Sequence, residues 1–265
     1  MPWKACLCSS LATMADFHQS YKNMPYSAYS LPRVVAQQYI LSAVHSEDAD
    51  TVTYVATQKN MSRDVLLRSL RERAMQDDRK VRFFVETARM QARLDNPNIA
   101  APLELLEADG TWHLAMERIK GEPMDMMVNS GRVLPSIVIC GLLQQLCRVC
   151  IYLDIERIAS VPFSLEHTYL MDVGFRFDNM AQAGPRPRNA SKRYLSEACR
   201  LIEPVLDMNT PLATHLRRVM NHMQSVGSWR PLTPVHFNEE LTRLQMEMLR
   251  IQAGEKALVS NAYTK

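Results

Sequence analysis

Residues 83–123 read FFVETARMQARLDNPNIAAPLELLEADGTWHLAMERIKGEP. Phe84, Ala88 and Leu94 recur at helical spacing and predict a helix over 81–94, with the acidic Glu86 inside it. Asn96-Pro97-Asn98-Ile99 then breaks the helix, because proline disfavours helical backbone in the residue before it. IAAPLELLEAD and WHLAMERI read as two strands around Asp109-Gly110, a hairpin turn signal. The second strand runs through Met116 and Glu117 to Ile119, and Lys120-Gly121 leads away from it.

Working outward, YILSAVH, TVTYVATQ and DVLLRSLR are three further β-rich runs, the first two separated by the acidic SEDAD. Five strands with one helix inserted after the third predict a small antiparallel α+β lobe over 36–119. Beyond Gly121 the chain turns helical. MDMMVNSG is a short helix ended by Gly131, and 135–153 is so nearly all apolar that it must be buried. VPFSLEHTYLMDVGFRFD mixes strand and loop character, and 184–193 is a basic loop carrying Arg186, Arg188, Lys192 and Arg193. Helices are expected near 192–207, 211–226 and 237–252. The 120–252 segment is thus a mainly helical lobe, with 1–35 as an N-terminal tail or docked arm and 253–265 as a C-terminal tail.

A chain of 265 residues with 47% apolar and 22% charged content is long enough for two lobes with real cores. A net charge of +3 gives no electrostatic footprint for nucleic acid or a membrane surface, and no stretch reads as a bilayer span of about 20 residues. Cys147 and Cys150 form a C-x-x-C, but on one face of the apolar helix and without a second metal-ligand pair. Buried reduced thiols are the expectation, with a cytoplasmic setting as the default. Leu241, Leu244, Met248 and Ile251 follow a 3-4-3 spacing too short for a coiled coil, so packing onto the helical lobe is expected.

The order strand, acidic loop, strand, strand, helix, strand, strand, crossover, long buried helix resembles the bacterial-type serine/threonine protein kinase domain over roughly residues 38–248. The F-x-x-E-A helix, the H-P-N-I turn and the hinge MERIKG look most similar, and SWRPLT at 228–233 looks like the late R-P-[ST] element. The resemblance implies a bilobal α+β fold with a nucleotide cleft lined by Thr53, Leu66, Arg68, Glu86, Met116, Glu117, Ile119 and Asp178. It also implies an ion pair between Glu86 and the strand-three position, here Arg68.

Phosphoryl transfer depends on positioned charge. The first glycine in the chain is Gly110, so the loop that cradles phosphates in the family has none here; Glu47, Asp48 and Asp50 stand there instead, repulsive toward a nucleotide. Arginine at 68 keeps a charge but not a point charge. By the resemblance, Leu66 stands where a small Ala leaves room for adenine and Thr53 where an apolar roof residue belongs, so a filled adenine pocket is expected. The catalytic loop aligns with Ser160, Val161 and Pro162, then Ser164 and His167, so no base stands at the aspartate position. Asp178, Asn179 and Met180 align with D-F-G, and one carboxylate alone holds Mg²⁺ poorly. The expectation is a catalytically inactive kinase-fold protein, a scaffold or regulator with a protein partner and no cofactor. The alternative is an atypical phosphotransferase or nucleotide sensor using ATP and Mg²⁺ through Arg68, Glu86 and Asp178. Arg230 is expected to be structural, pairing with Glu197 or Glu203.

Overall fold

The computed structural model describes residues 34–185, 187, 189–225 and 233–262, with side chains through 254. Arg230, Arg186 and Arg188 lie outside the described residues, as does nearly all of the expected N-terminal arm. Glu197 and Glu203, the expected partners of Arg230, pair with Arg200 and Arg217, at 2.5 and 2.6 Å.

The N-terminal lobe is a six-stranded antiparallel sheet in the order β1-β2-β3-β4-β6-β5. Its strands are β1 (Val34–Val35), β2 (Tyr39–Glu47), β3 (Thr51–Gln58), β4 (Arg63–Leu70), β5 (Pro102–Ala108) and β6 (Thr111–Glu117). Period-2 alternation gives the sheet two apolar faces. On one, Tyr39, Leu41, Ala56, Val65, Leu67 and Ala115 form a small core. The edges of the curled sheet are tied by side chains: Tyr39 Oη donates to Glu104 Oε2 at 2.5 Å, and Ala36 N to Asp109 Oδ2 at 2.8 Å. Unpaired edge groups are covered in this way.

The other face carries Leu66, Leu70, Leu114 and Met116, packed against Phe84 and Ala88 of helix α2 (Asp78–Gln91), which follows the short α1 (Glu72–Met75). Asp77 caps α2 by accepting from Arg79 N at 2.9 Å. Because Phe84, Val85, Ala88 and Gln91 are its buried positions, Glu86 points outward and is exposed.

The Asn96–Ile99 turn joins the lobes. Asn96 Oδ1 accepts from Asn98 N at 3.0 Å, an Asx turn. Backbone bonds Phe177 N to Asn98 O (2.7 Å) and Ala100 N to Phe177 O (2.8 Å) then splice it onto strand β10 (Phe175–Phe177). The sequence after α2 is thus a socket for the second lobe.

The C-terminal lobe is built on α4 (Ser136–Ile155), reached through β7 (Glu122–Pro123) and α3 (Met124–Asn129). The lobe core has α4 at its centre, with α5 (Ala190–Ile202), α6 (Ala213–Gln224) and α7 (Pro234–Ala262) supplying residues such as Leu195, Met220 and Phe237. Among the described residues α4 is the one helix long and apolar enough to cross a membrane, which revises the expectation that no stretch qualifies; 72% of its most apolar window is buried inside the lobe. Cys140, Cys147, Cys150 and Cys199 are buried there, and burial pushes the Cys140 thiol up to about 12. Leu241, Leu244 and Met248 are buried in the same core, so the 3-4-3 stripe packs within the lobe.

Two boundaries move. Residues 190–193 begin α5 rather than ending a basic loop, and α7 continues through Ala262 where a tail was expected from 253.

Candidate functional site

Two short sheets bring the C-terminal lobe's polar residues to the cleft. β9 (Thr168–Leu170) pairs antiparallel with β10 and with β7, and β8 (Ala159–Ser160) pairs with β11 (Ala181–Gln182). The β9–β10 hairpin sets His167 and Tyr169 on one side, two residues apart, and delivers Asp178 directly after β10.

Asp178 is 2% exposed. His167 Nδ1 lies 2.5 Å from Asp178 Oδ1, and Tyr169 Oη donates to Oδ2 at 2.9 Å. Tyr169 Oη in turn sits 3.3 Å from His45 Nε2 of β2, linking the two lobes. Burial works against the Asp178 charge, but the His167 ring, the Tyr169 hydroxyl and the Arg68 charge together hold its pKa below the ordinary carboxylate range. His45 is pulled down, chiefly by burial, and Asp178 opposes the shift.

Arg68 does not pair with Glu86, as the resemblance implied. Its Nη1 donates across the cleft to Asn179 Oδ1 at 3.0 Å, and its Nε lies 3.4 Å from Thr53 Oγ1, directly opposite in the β3–β4 register. The correction is a matter of helix rotation: burying Phe84 and Ala88 turns Glu86 to the far side of α2. Helix α2 is held to the second lobe by uncharged bonds instead. Gln91 Nε2 donates to Ala181 O at 2.7 Å, and Thr87 Oγ1 accepts from Ala183 N at 3.0 Å.

In the β2–β3 turn, expected as a repulsive acidic loop, two of the three carboxylates are ion-paired and the third is hydrogen-bonded within the turn. Asp48 accepts from Asp50 N, Thr51 N and Thr51 Oγ1 at 2.7–2.8 Å. Glu47 pairs with Arg71 and Asp50 with Lys80, both at 2.5 Å. Side chains brace this turn where the resembled family uses glycine.

Of the remaining expected cleft residues, Leu66 and Met116 are buried in packing against α2, and Ile119 is buried with Ala100 and Tyr169. Glu117 is clasped by both terminal nitrogens of Arg176 on β10, with the Nη2–Oε2 distance 2.7 Å, and its Oε2 also accepts from Ala101 N. Arg176 holds the Glu117 carboxyl below the usual range.

The open space is a cavity of about 740 Å³ lined from both lobes. Thr53 and Arg68 line it, with His45, Asp48, His167 and Asn179; Leu66, Met116, Glu117, Ile119, Glu86 and Asp178 do not. The cavity lies toward the β2–β3 turn and α2, away from the hinge. No group of three or more His, Cys, Asp or Glu among the described residues is placed to hold a metal ion.

Sequence reasoning missed His45, Tyr169 and Arg176. Strand alternation from His167 could have found Tyr169; no local signal marks the other two.

No family model matches the chain. It is 29% identical over 108 residues to the serine/threonine-protein kinase pkn3 of Myxococcus xanthus, a match covering 38% of this chain and 20% of that protein. The match thus spans about a fifth of the length of that curated relative. One crystal structure of the PknI kinase domain of Mycobacterium tuberculosis superposes with a TM-score of 0.61 at 15% identity, covering 83% of this chain and 100% of that one. A second crystal structure of the same domain gives 0.59 at 14% identity, covering 82% of this chain and 99% of that one. The chain therefore has the bilobal protein-kinase fold, with a sequence similar in part to a bacterial serine/threonine kinase.

Proposed function

We propose that this chain is a kinase-fold protein without phosphotransfer activity, which acts in the cytoplasm as a scaffold or regulator of a protein partner. The observation that supports this reading most is the state of Asp178. A carboxylate that holds a catalytic metal must present oxygens to the cleft, and here Asp178 is 2% exposed, with Oδ2 accepting from Tyr169 and Oδ1 enclosed 2.5 Å from the His167 ring. Pro162, at the position the resemblance assigns to the base, has no proton acceptor on its side chain. Arg68 spends two of its donors on Asn179 and Thr53, and the hinge carboxylate is held by Arg176.

The alternative, a phosphotransferase or nucleotide sensor, rests on Arg68 and Asp178, whose charges act on each other in the cleft. Glu86, on the outer face of α2, adds nothing to it. The deciding assay incubates the chain with γ-labelled ATP, Mg²⁺ or Mn²⁺, and a generic protein substrate. The scaffold reading expects label no higher than that of Asp178→Asn. Transfer above that background, abolished by Asp178→Asn, would establish the alternative.

A further inference from the structure

We propose that the interlobe cavity binds a small amphipathic carboxylic acid, its carboxylate on Arg68 and its apolar body against Phe83, Phe84, Leu70 and Leu114. The inference goes beyond the scaffold reading and does not require it.

A guanidinium has five N–H donors. Among the described residues, those of Arg68 meet two neutral oxygens, Asn179 Oδ1 and, more distantly, Thr53 Oγ1. The two carboxylates whose charges act on Arg68 make their hydrogen bonds elsewhere: Asp178 accepts from Tyr169 and lies against the His167 ring, and Asp48 accepts from three donors of its own turn. Burial accordingly pulls the guanidinium's pKa down, and those carboxylates push back only through space. Arg68 is half-buried and lines the cavity, so the donors that Asn179 and Thr53 leave unused are available to a ligand there. A cation held by neutral oxygens beside an open cavity is a receptor for one anionic group.

The surroundings select the anion. Of the rim carboxylates, Glu47 and Asp50 are paired with Arg71 and Lys80, which leaves Asp48 and Glu166 against Arg79. A phosphate chain would bring several charges against this rim. A carboxylate brings one and matches the planar fork of arginine. The lining also includes apolar side chains, with Leu70, Phe84 and Leu114 buried and Phe83 exposed. The volume of about 740 Å³ is that of a small-molecule site.

The test is thermal denaturation and calorimetric titration of the full chain with phenylacetate, 4-phenylbutyrate, indole-3-acetate and octanoate. Each acid is set against its primary amide, and pyrophosphate is a further arm. We expect at least one acid to bind saturably with Kd below about 1 mM, and its amide at least tenfold more weakly. Arg68→Gln should weaken that acid at least tenfold, whereas Arg89→Gln, on an exposed part of α2, should leave it unchanged. Phe83→Asp changes an exposed side chain, so it keeps the test available if Arg68→Gln does not fold, and it too should weaken the acid at least tenfold. The proposal is overturned if no acid binds, if acid and amide bind alike, if the variants bind as the parent does, or if pyrophosphate binds more tightly than every acid.

Discussion

At the scale of single residues, the chemistry of the cleft turns on which charges have partners. Asp178 is the most enclosed carboxylate of the site, and its charge survives there because His167 and Tyr169 address one oxygen each. Tyr169→Phe removes a hydrogen bond to a buried charged group, and unfolding by denaturant should show a loss of about 1.5–3 kcal/mol. Glu86 has no such role. On the exposed face of α2 its replacement by alanine should change stability by less than about 0.5 kcal/mol in the same experiment. His113 makes a separate pH-dependent contribution. It is 3% exposed, 2.6 Å from Ser69 Oγ through Nδ1 and 3.2 Å from Ala108 O through Nε2, and burial lowers its pKa. His45 is shifted in the same direction. The unfolded chain therefore takes up protons first as pH falls below the ordinary histidine value of about 6.5. Stability should fall from there until the lower folded pKa values are passed. The melting temperature should drop between pH 7.5 and 5.5, and His113→Gln should flatten that slope.

At the scale of elements, the helix, the Asn-Pro-Asn-Ile turn and the hairpin of residues 83–123 were readable because each rests on local rules: helical spacing, the backbone limits of proline, and the Asp109-Gly110 turn. The rotation of α2 was also written in the sequence. Glu86 lies two residues, about 200° of helix, past Phe84, and the burial of Phe84, Ala88 and Gln91 on one stripe puts it outward. The inherited expectation of an ion pair overrode that pattern. What no local rule gives is pairing over long separations, such as Arg68 with Asn179, Glu117 with Arg176, or His45 with Tyr169. Each joins residues fixed by different lobes. Gly121 is a further case of element contact. A Cβ there would lie 2.8 Å from Leu170 O and 2.6 Å from Met171 Sδ, so β9 sits against the start of the second lobe at backbone distance. Gly121→Ala should cost about 1–3 kcal/mol in chemical denaturation, because the carbonyl cannot swing aside as a side chain can.

At the scale of the whole molecule, the lobes are joined by bonds that require no nucleotide. The turn after α2 is spliced to β10, Gln91 and Thr87 hold the chain after Asp178, and Arg176 clasps the hinge carboxylate. The order of strands and helices made the bilobal fold legible before any coordinates. The arrangement of the cleft was not legible in the same way, because it is set by side chains that meet from both lobes, as Arg68 meets Asn179. The most direct measurement is a calorimetric titration of the chain with Mg-ATP at millimolar concentrations. The account predicts no saturable heat and no rise in melting temperature. Binding with Kd well below 1 mM, which at a hundredfold excess would add about 2.7 kcal/mol of stability, would contradict it.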